Sequence, residues 1–139
     1  MKSKTFKNRT KKPVGLIYDH MIFHIKYNRK VLIDKIRRRC ELIIRNVLDD
    51  IGCECVEINV QPNHVHILVG IPLTITPSHV AMKVKGISSW LLRREYPILK
   101  QQIPKALWAP SCTHQSVGND LTKVIYYIRN QYKKHGGPK

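Results

Sequence analysis

In the stretch QPNHVHILVG, residues 61 to 70, His64 and His66 flank a single Val65. Side chains on an extended strand alternate between faces, so the two imidazoles project together while Val65, Ile67, Val69 and Ile71 take the opposite face. Two neutral ring nitrogens placed this way can ligate one divalent ion. Two ligands do not make a site, and the same spacing also suits an ordinary polar strand face. A second group lies near the C-terminus in LTKVIYYIRNQYKK, where Tyr127 and Gln131 stand four apart and emerge from one side of a helix. If that side covers the histidine face, the phenol reaches the metal's neighbourhood and the Gln131 carbonyl oxygen can complete the protein ligands. Otherwise Tyr127 is a surface tyrosine on an amphipathic helix.

These groups need elements to position them. LIYDHMIFHIKY alternates as a first strand, with Met21, Phe23 and Ile25 on one face and His20, His24 and Lys26 on the other. The cationic turn KYNRK leads into VLIDKIRRRCELIIRNVLDDIG, where Leu32, Ile36, Leu42, Ile43 and Leu48 recur at helical spacing and Gly52 closes the helix. CECVEINVQ alternates again, with Val56, Ile58 and Val60 inward and Glu57 and Asn59 outward. Through the Pro62-Asn63 turn it pairs with the histidine strand as an antiparallel hairpin. Thr76 or Ser78 can cap a second helix, HVAMKVKGISSWLLRREY, with Val80, Val84, Ile87 and Leu91 as its buried stripe. In the region 97 to 118, ALWAPSCTHQSVG can supply one or two short strands broken by Pro110. Asn119 or Asp120 then caps the last helix, in which Leu121, Ile125, Ile128 and Tyr132 form the packing stripe. The order strand, helix, strand, strand, helix, strand and extra helix predicts an α+β fold. It is a ferredoxin-like antiparallel sheet with two helices on one face and an additional C-terminal helix carrying the tyrosine.

The 139 residues suit one domain over 14–139, preceded by a basic arm at 1–13. The formal net charge is +16, from 25 Lys and Arg against 9 Asp and Glu, an excess best placed beside a polyanion such as nucleic acid. An anionic membrane surface is the second such partner. No apolar run reaches the roughly 18–20 residues of a spanning helix, and the N-terminus lacks the apolar centre of a secretory signal, so a cytoplasmic, DNA-associated protein is expected. Cys40, Cys53, Cys55 and Cys112 show no CxxC spacing and read as reduced thiols; zinc through Cys53 and Cys55 is the remote alternative. Trp90 and Trp108 are expected to be packing residues.

Taken together, the motifs resemble those of the single-tyrosine (Y1) HUH transposases of the IS200/IS605 insertion-sequence family. PNHVHILV is similar to their HUH motif and YIRNQ (127 to 131) to their tyrosine motif, in the same order and separation. The basic turn KYNRKVL and the helix KGISSWLLRR (85 to 94) extend the likeness over nearly the whole chain. The resemblance implies a nuclease and strand transferase acting on single-stranded DNA at insertion-sequence ends. His64, His66 and Gln131 would hold one metal, and Tyr127 would attack to form a 5′-phosphotyrosine. It also implies hairpins near the transposon ends as ligands, and a homodimer in which the tyrosine helix can complete the partner's site about a hinge at Gly118. Tyr126 beside Tyr127, and Asn130 beside Gln131, are the competing positions.

A donor set of imidazole and amide oxygen without thiolate suits Mg²⁺ or Mn²⁺, one per site, although imidazole also suits Zn²⁺. Exchanging one phosphodiester for another needs no nucleotide cofactor, in keeping with a chain that lacks a G-x-x-x-x-G-K loop. Lys26, Arg29, Lys30, Lys83, Lys85, Arg93 and Arg94 are the candidates for phosphate contact. Two other readings compete. One is a non-catalytic basic ferredoxin-like module that grips RNA or DNA; the other is a domesticated HUH tyrosine nuclease specific for palindromes.

Overall fold

Strand β1, Ile17–Ile25, buries Met21, Phe23 and Ile25 on one face, the alternation expected of it. The computed structural model describes residues 15–118 and 121–134, with side chains through Gln131. The basic arm, the caps Asn119 and Asp120 and the side chain of Tyr132 lie outside the described residues. A short 3-10 turn at Lys26–Asn28 leads to helix α1, Asp34–Asp50. The hairpin β2, Glu54–Gln61, and β3, His64–Ile71, follows. Helix α2, Pro77–Glu95, is capped by Thr76, whose hydroxyl accepts from the His79 N–H at 3.1 Å. The short α3, Ile98–Gln102, precedes strand β4, Trp108–Val117, and helix α4, Leu121–Lys134.

The sheet order is β2-β3-β1-β4 with every neighbouring pair antiparallel, which is the ferredoxin-like arrangement. The main core lies between one face of the sheet and helices α1 and α2, and gathers Met21, Phe23, Ile43, Ile44, Leu48, Val65, Ile67, Val84 and Leu92. Helix α4 lies on the other face, against β2 and β3. There Leu68 and Ile128 are fully buried outside the main cluster. Among the described residues no helix is long and apolar enough to cross a membrane. The four cysteines are free thiols; burial pushes Cys40 up to about 12 and Cys55 to about 11, so neither is a nucleophile at neutral pH.

Several expectations about individual residues are corrected. Leu42 is 49% exposed, because the stripe of α1 that meets the sheet runs through Cys40, Ile43, Ile44, Val47 and Leu48. In α2 Ile87 is exposed and Ser88 takes the buried position between Val84 and Leu92. The serine is tolerated there because its hydroxyl donates to the Val84 carbonyl and accepts from Trp108 Nε1 at 2.8 Å. A bulge between Cys55 and Glu57 leaves Val56 without a partner on β3 and turns Cys55 towards the core, opposite Val69. Pro110 does not break β4. The strand is at the sheet edge, and between the pairs Phe23↔Cys112 and Ile25↔Trp108 the register slips, so the missing N–H falls in an irregularity. Trp108 is buried as expected, but Trp90 is 61% exposed with the Arg94 guanidinium 5.2 Å from its ring centre.

Candidate active site

The face of the sheet under α4 carries the polar half of each strand. The register sets Asn59 opposite His66 and Gln61 opposite His64 on β2, with Ile22 and His24 facing the same two histidines from β1. His64 and His66 are both buried, with ring centres 5.0 Å apart and planes at 73°. His24 stacks against His64 at 5.6 Å, and His20 against His66 at 5.3 Å. Burial holds His20 below the usual histidine range, with Asp19 opposing more weakly, so this ring is neutral at neutral pH. A neutral ring can lie beside a second imidazole without charge repulsion.

Helix α4 brings the phenol to this face. The Tyr127 ring centre is 6.0 Å from His66 and 5.9 Å from His20, in both cases edge-on. Its side chain is 43% exposed and sits at the rim of a groove of about 370 Å³ whose walls include His20, Gln115 and Lys123. Two contacts fix the helix on its own sheet. The Asn59 amide donates to the Ile128 carbonyl at 2.8 Å, and Arg129 Nε donates to the Glu57 carboxylate at 3.2 Å. Gln131, one turn beyond Tyr127, is 1% exposed and therefore on the sheet side of the helix. The competing positions face elsewhere: Tyr126 is 70% exposed, and the Asn130 amide is bound to the Tyr126 carbonyl at 2.7 Å.

Among the described residues no group of three or more His, Cys, Asp or Glu side chains could hold a metal ion. A metal on the histidine pair would find further oxygen donors in the buried amides of this face. One such residue beyond Gln131 was not singled out from the sequence. Gln61 is buried opposite His64, and its Nε2 donates to Asn59 Oδ1 at 2.7 Å. Among the described residues its Oε1 is buried without a hydrogen-bond partner. A desolvated amide oxygen beside two imidazoles is costly alone and is satisfied by a hard cation. The donor set thus fits a divalent ion. The signal was present in the alternation of Asn59, Gln61, His64 and His66 through the hairpin, but only the register shows that Gln61 faces His64.

The basic candidates divide between two places. Lys26, Arg29 and Lys30 lie at the end of β1, in the turn whose Asn28 contacts Asn63 beside the histidines. Lys83, Lys85, Arg93 and Arg94 are on α2, across the sheet from His64 and His66. Two of these have internal partners. Lys85 donates to the carbonyls of Ala109 and Pro110 at 2.7 and 3.0 Å, and Arg93 to that of Ile103 at 2.6 Å.

Known proteins share both the sequence and this architecture. The chain is 31% identical over 130 residues to the ISDra2 transposase TnpA of Deinococcus radiodurans, covering 89% of this chain and 92% of that protein. It is 26% identical over 116 residues to the transposase for insertion sequence element IS200 of Salmonella typhimurium, covering 83% and 76%. A crystal structure of a candidate transposase from Deinococcus radiodurans superposes with a TM-score of 0.71 at 28% identity, over 87% of this chain and 95% of the other. A REP-associated tyrosine transposase bound to a REP hairpin shares the fold, with a TM-score of 0.68 at 19% identity over 86% and 68%. The sequence profile of the family described as Transposase IS200 like matches residues 13–131, and the chain belongs to that family.

Proposed function

We propose that this transposase cleaves and rejoins single-stranded DNA at insertion-sequence ends through a 5′-phosphotyrosine on Tyr127. The observation that carries this reading is the approach of the Tyr127 ring to within 6.0 Å of His66, beside the buried pair His64 and His66. His64, His66 and Gln131 would hold one divalent ion, Mg²⁺ or Mn²⁺ by the hardness of the donors, with the Gln61 oxygen as a further donor. When bound, such an ion polarises the phosphate oxygens and offsets the charge that builds up on them.

The chain's own residues supply the rest. Tyr127 Oη attacks phosphorus in line with the scissile bond, the bond to the 3′-oxygen breaks, and that oxygen leaves as a 3′-hydroxyl after taking up a proton. The strand's 5′ end stays esterified to the phenol. A second 3′-hydroxyl then attacks the same phosphorus and releases Tyr127, so one diester replaces another and no nucleotide cofactor is consumed. Exposure at the groove rim lets the phenol meet a strand laid along the groove, while Asn59 and Glu57 hold its helix in place.

The nucleic-acid partner in this reading is single-stranded DNA that folds into hairpins near the element's ends, drawn in by the +16 charge. The protein acts as a homodimer, and Gly118 is where α4 could be exchanged between subunits. Among the described residues, chain neighbours aside, nothing lies within 4 Å of where a Cβ on Gly118 would sit. A labelled strand carrying the end hairpin should become covalently attached to the protein in Mg²⁺ or Mn²⁺. Tyr127→Phe should abolish the adduct, and retention of the adduct by that variant would refute the assignment.

A further inference from the structure

A neutral imidazole carries its proton on one nitrogen, and only the other can ligate a metal. Two rings converge on one ion only if both tautomers are right. We infer that Asn63 and His20 are positioning residues that set Nδ1–H on His64 and His66, so that both rings present Nε2 to the ion. The inference rests on the proposed metal role of that pair.

His64 Nδ1 is 2.7 Å from Asn63 Oδ1. An amide oxygen has no proton to give, so the ring nitrogen must donate. The same Asn63 amide donates from Nδ2 to Asn28 Oδ1 at 3.1 Å, an arrangement that leaves its oxygen facing His64. Asn28 has φ 58°, in the left-handed region that asparagine enters more readily than most residues. The turn carrying Asn63 is pinned from both sides: Ile25 N–H donates to the Asn63 carbonyl and Leu32 N–H to the Pro62 carbonyl, each at 2.9 Å. An ordered relay therefore runs from Asn28 through Asn63 to His64 Nδ1.

His66 is held by a different group on the neighbouring strand. Its Nδ1 is 3.1 Å from His20 Nε2, a contact that one proton can occupy. If His20 donated it, the proton of His66 would sit on Nε2 and block ligation. If His66 donates, Nε2 carries the lone pair. Ligation by His66 requires the second arrangement, with the His20 proton on Nδ1. Partners of this kind orient metal-binding histidines and typically change metal affinity by about 10–100-fold when removed.

The test begins with the metal-free, ¹⁵N-labelled full chain, in which long-range ¹H–¹⁵N correlations of the imidazoles distinguish Nδ1–H from Nε2–H. Both His64 and His66 are expected as Nδ1–H. Asn63→Leu should convert His64 to a mixture and weaken Mn²⁺ binding, measured by EPR titration, by about 10–100-fold. Asn63→Asp, whose carboxylate still accepts, should restore the tautomer and most of the affinity. His20→Leu and His20→Gln should do the same for His66. Nε2–H on either ring of the wild type, or Asn63→Leu and His20→Leu chains that bind Mn²⁺ as the wild type does, would overturn the inference. A wild type with both Nδ1–H tautomers but no Mn²⁺ binding would support the hydrogen-bond assignment and refute the metal reading on which its purpose depends.

Discussion

The rings of His66 and Tyr127, drawn from the third strand and the last helix, meet edge-on with centres 6.0 Å apart. The meeting depends on α4 lying across the polar face of β2 and β3.

Adjacent tyrosines separate the chemistry from the residue type. Tyr126 is 70% exposed and points away from the imidazoles, whereas Tyr127 packs edge-on to two of them. Tyr126→Phe should retain covalent attachment to DNA within about twofold, and Tyr127→Phe should abolish it, because phenylalanine has no oxygen to attack phosphorus. Adduct carried by Tyr126 after mass-spectrometric mapping would reverse the assignment.

The seat of α4 is set by Asn59 and Glu57. Replacing Asn59 with Ala removes the bond to the Ile128 carbonyl and should cost about 1 kcal/mol, the usual net worth of such a bond. Hydrogen exchange should quicken in α4 and leave the exchange of α1 and β1 unchanged, because the helix can loosen locally. Uniform acceleration across the domain would mean that α4 is integral to the fold.

Lys85 and Arg29 offer opposite expectations for two basic residues. Lys85 ties β4 to α2 through two carbonyls, so Lys85→Met should lower stability by about 1–2 kcal/mol, as for hydrogen bonds from a charged donor. Arg29 is exposed in the turn near the histidine hairpin, so Arg29→Ala should leave Tm unchanged and reduce the salt dependence of single-strand binding by about one ion. Unchanged stability with weakened DNA binding in Lys85→Met would count against its structural role.

Asp19 makes stability depend on pH. It is buried on the core face, and burial lifts its carboxyl above the usual range against the weaker pull of His114, whose Nδ1 is 3.3 Å away. The folded chain therefore binds this proton more tightly than the unfolded one, so stability falls as pH rises from about 4 through the folded value. Asp19→Asn should exceed the wild type in Tm at pH 7, with the gap closing as the pH is lowered towards 4. Equal Tm profiles across that range would show that the ionised carboxylate is fully compensated.

Much of the site is legible in the sequence alone. Period-two alternation marks β1, β2 and β3, and one His-x-His step within it is enough to say that His64 and His66 share a face. Four-residue spacing likewise puts Tyr127 and Gln131 on one side of a helix. Local periodicity misled where a contact from outside the segment decided: Ser88 displaced Ile87 from the buried stripe because Trp108 supplies its hydrogen bond, and Pro110 was absorbed by an irregular edge strand.

By itself the sequence determined which side chains travel together, since the strand and helix repeats are properties of the backbone and hold in any fold. Only the tertiary structure decided which of those sets face one another. Strand register placed Gln61 against His64, the packing of α4 carried Tyr127 to His66, and a turn at the end of β1 set Asn28 against Asn63. Such meetings join residues far apart in the chain, and they are set by the packing of whole elements rather than by any local pattern.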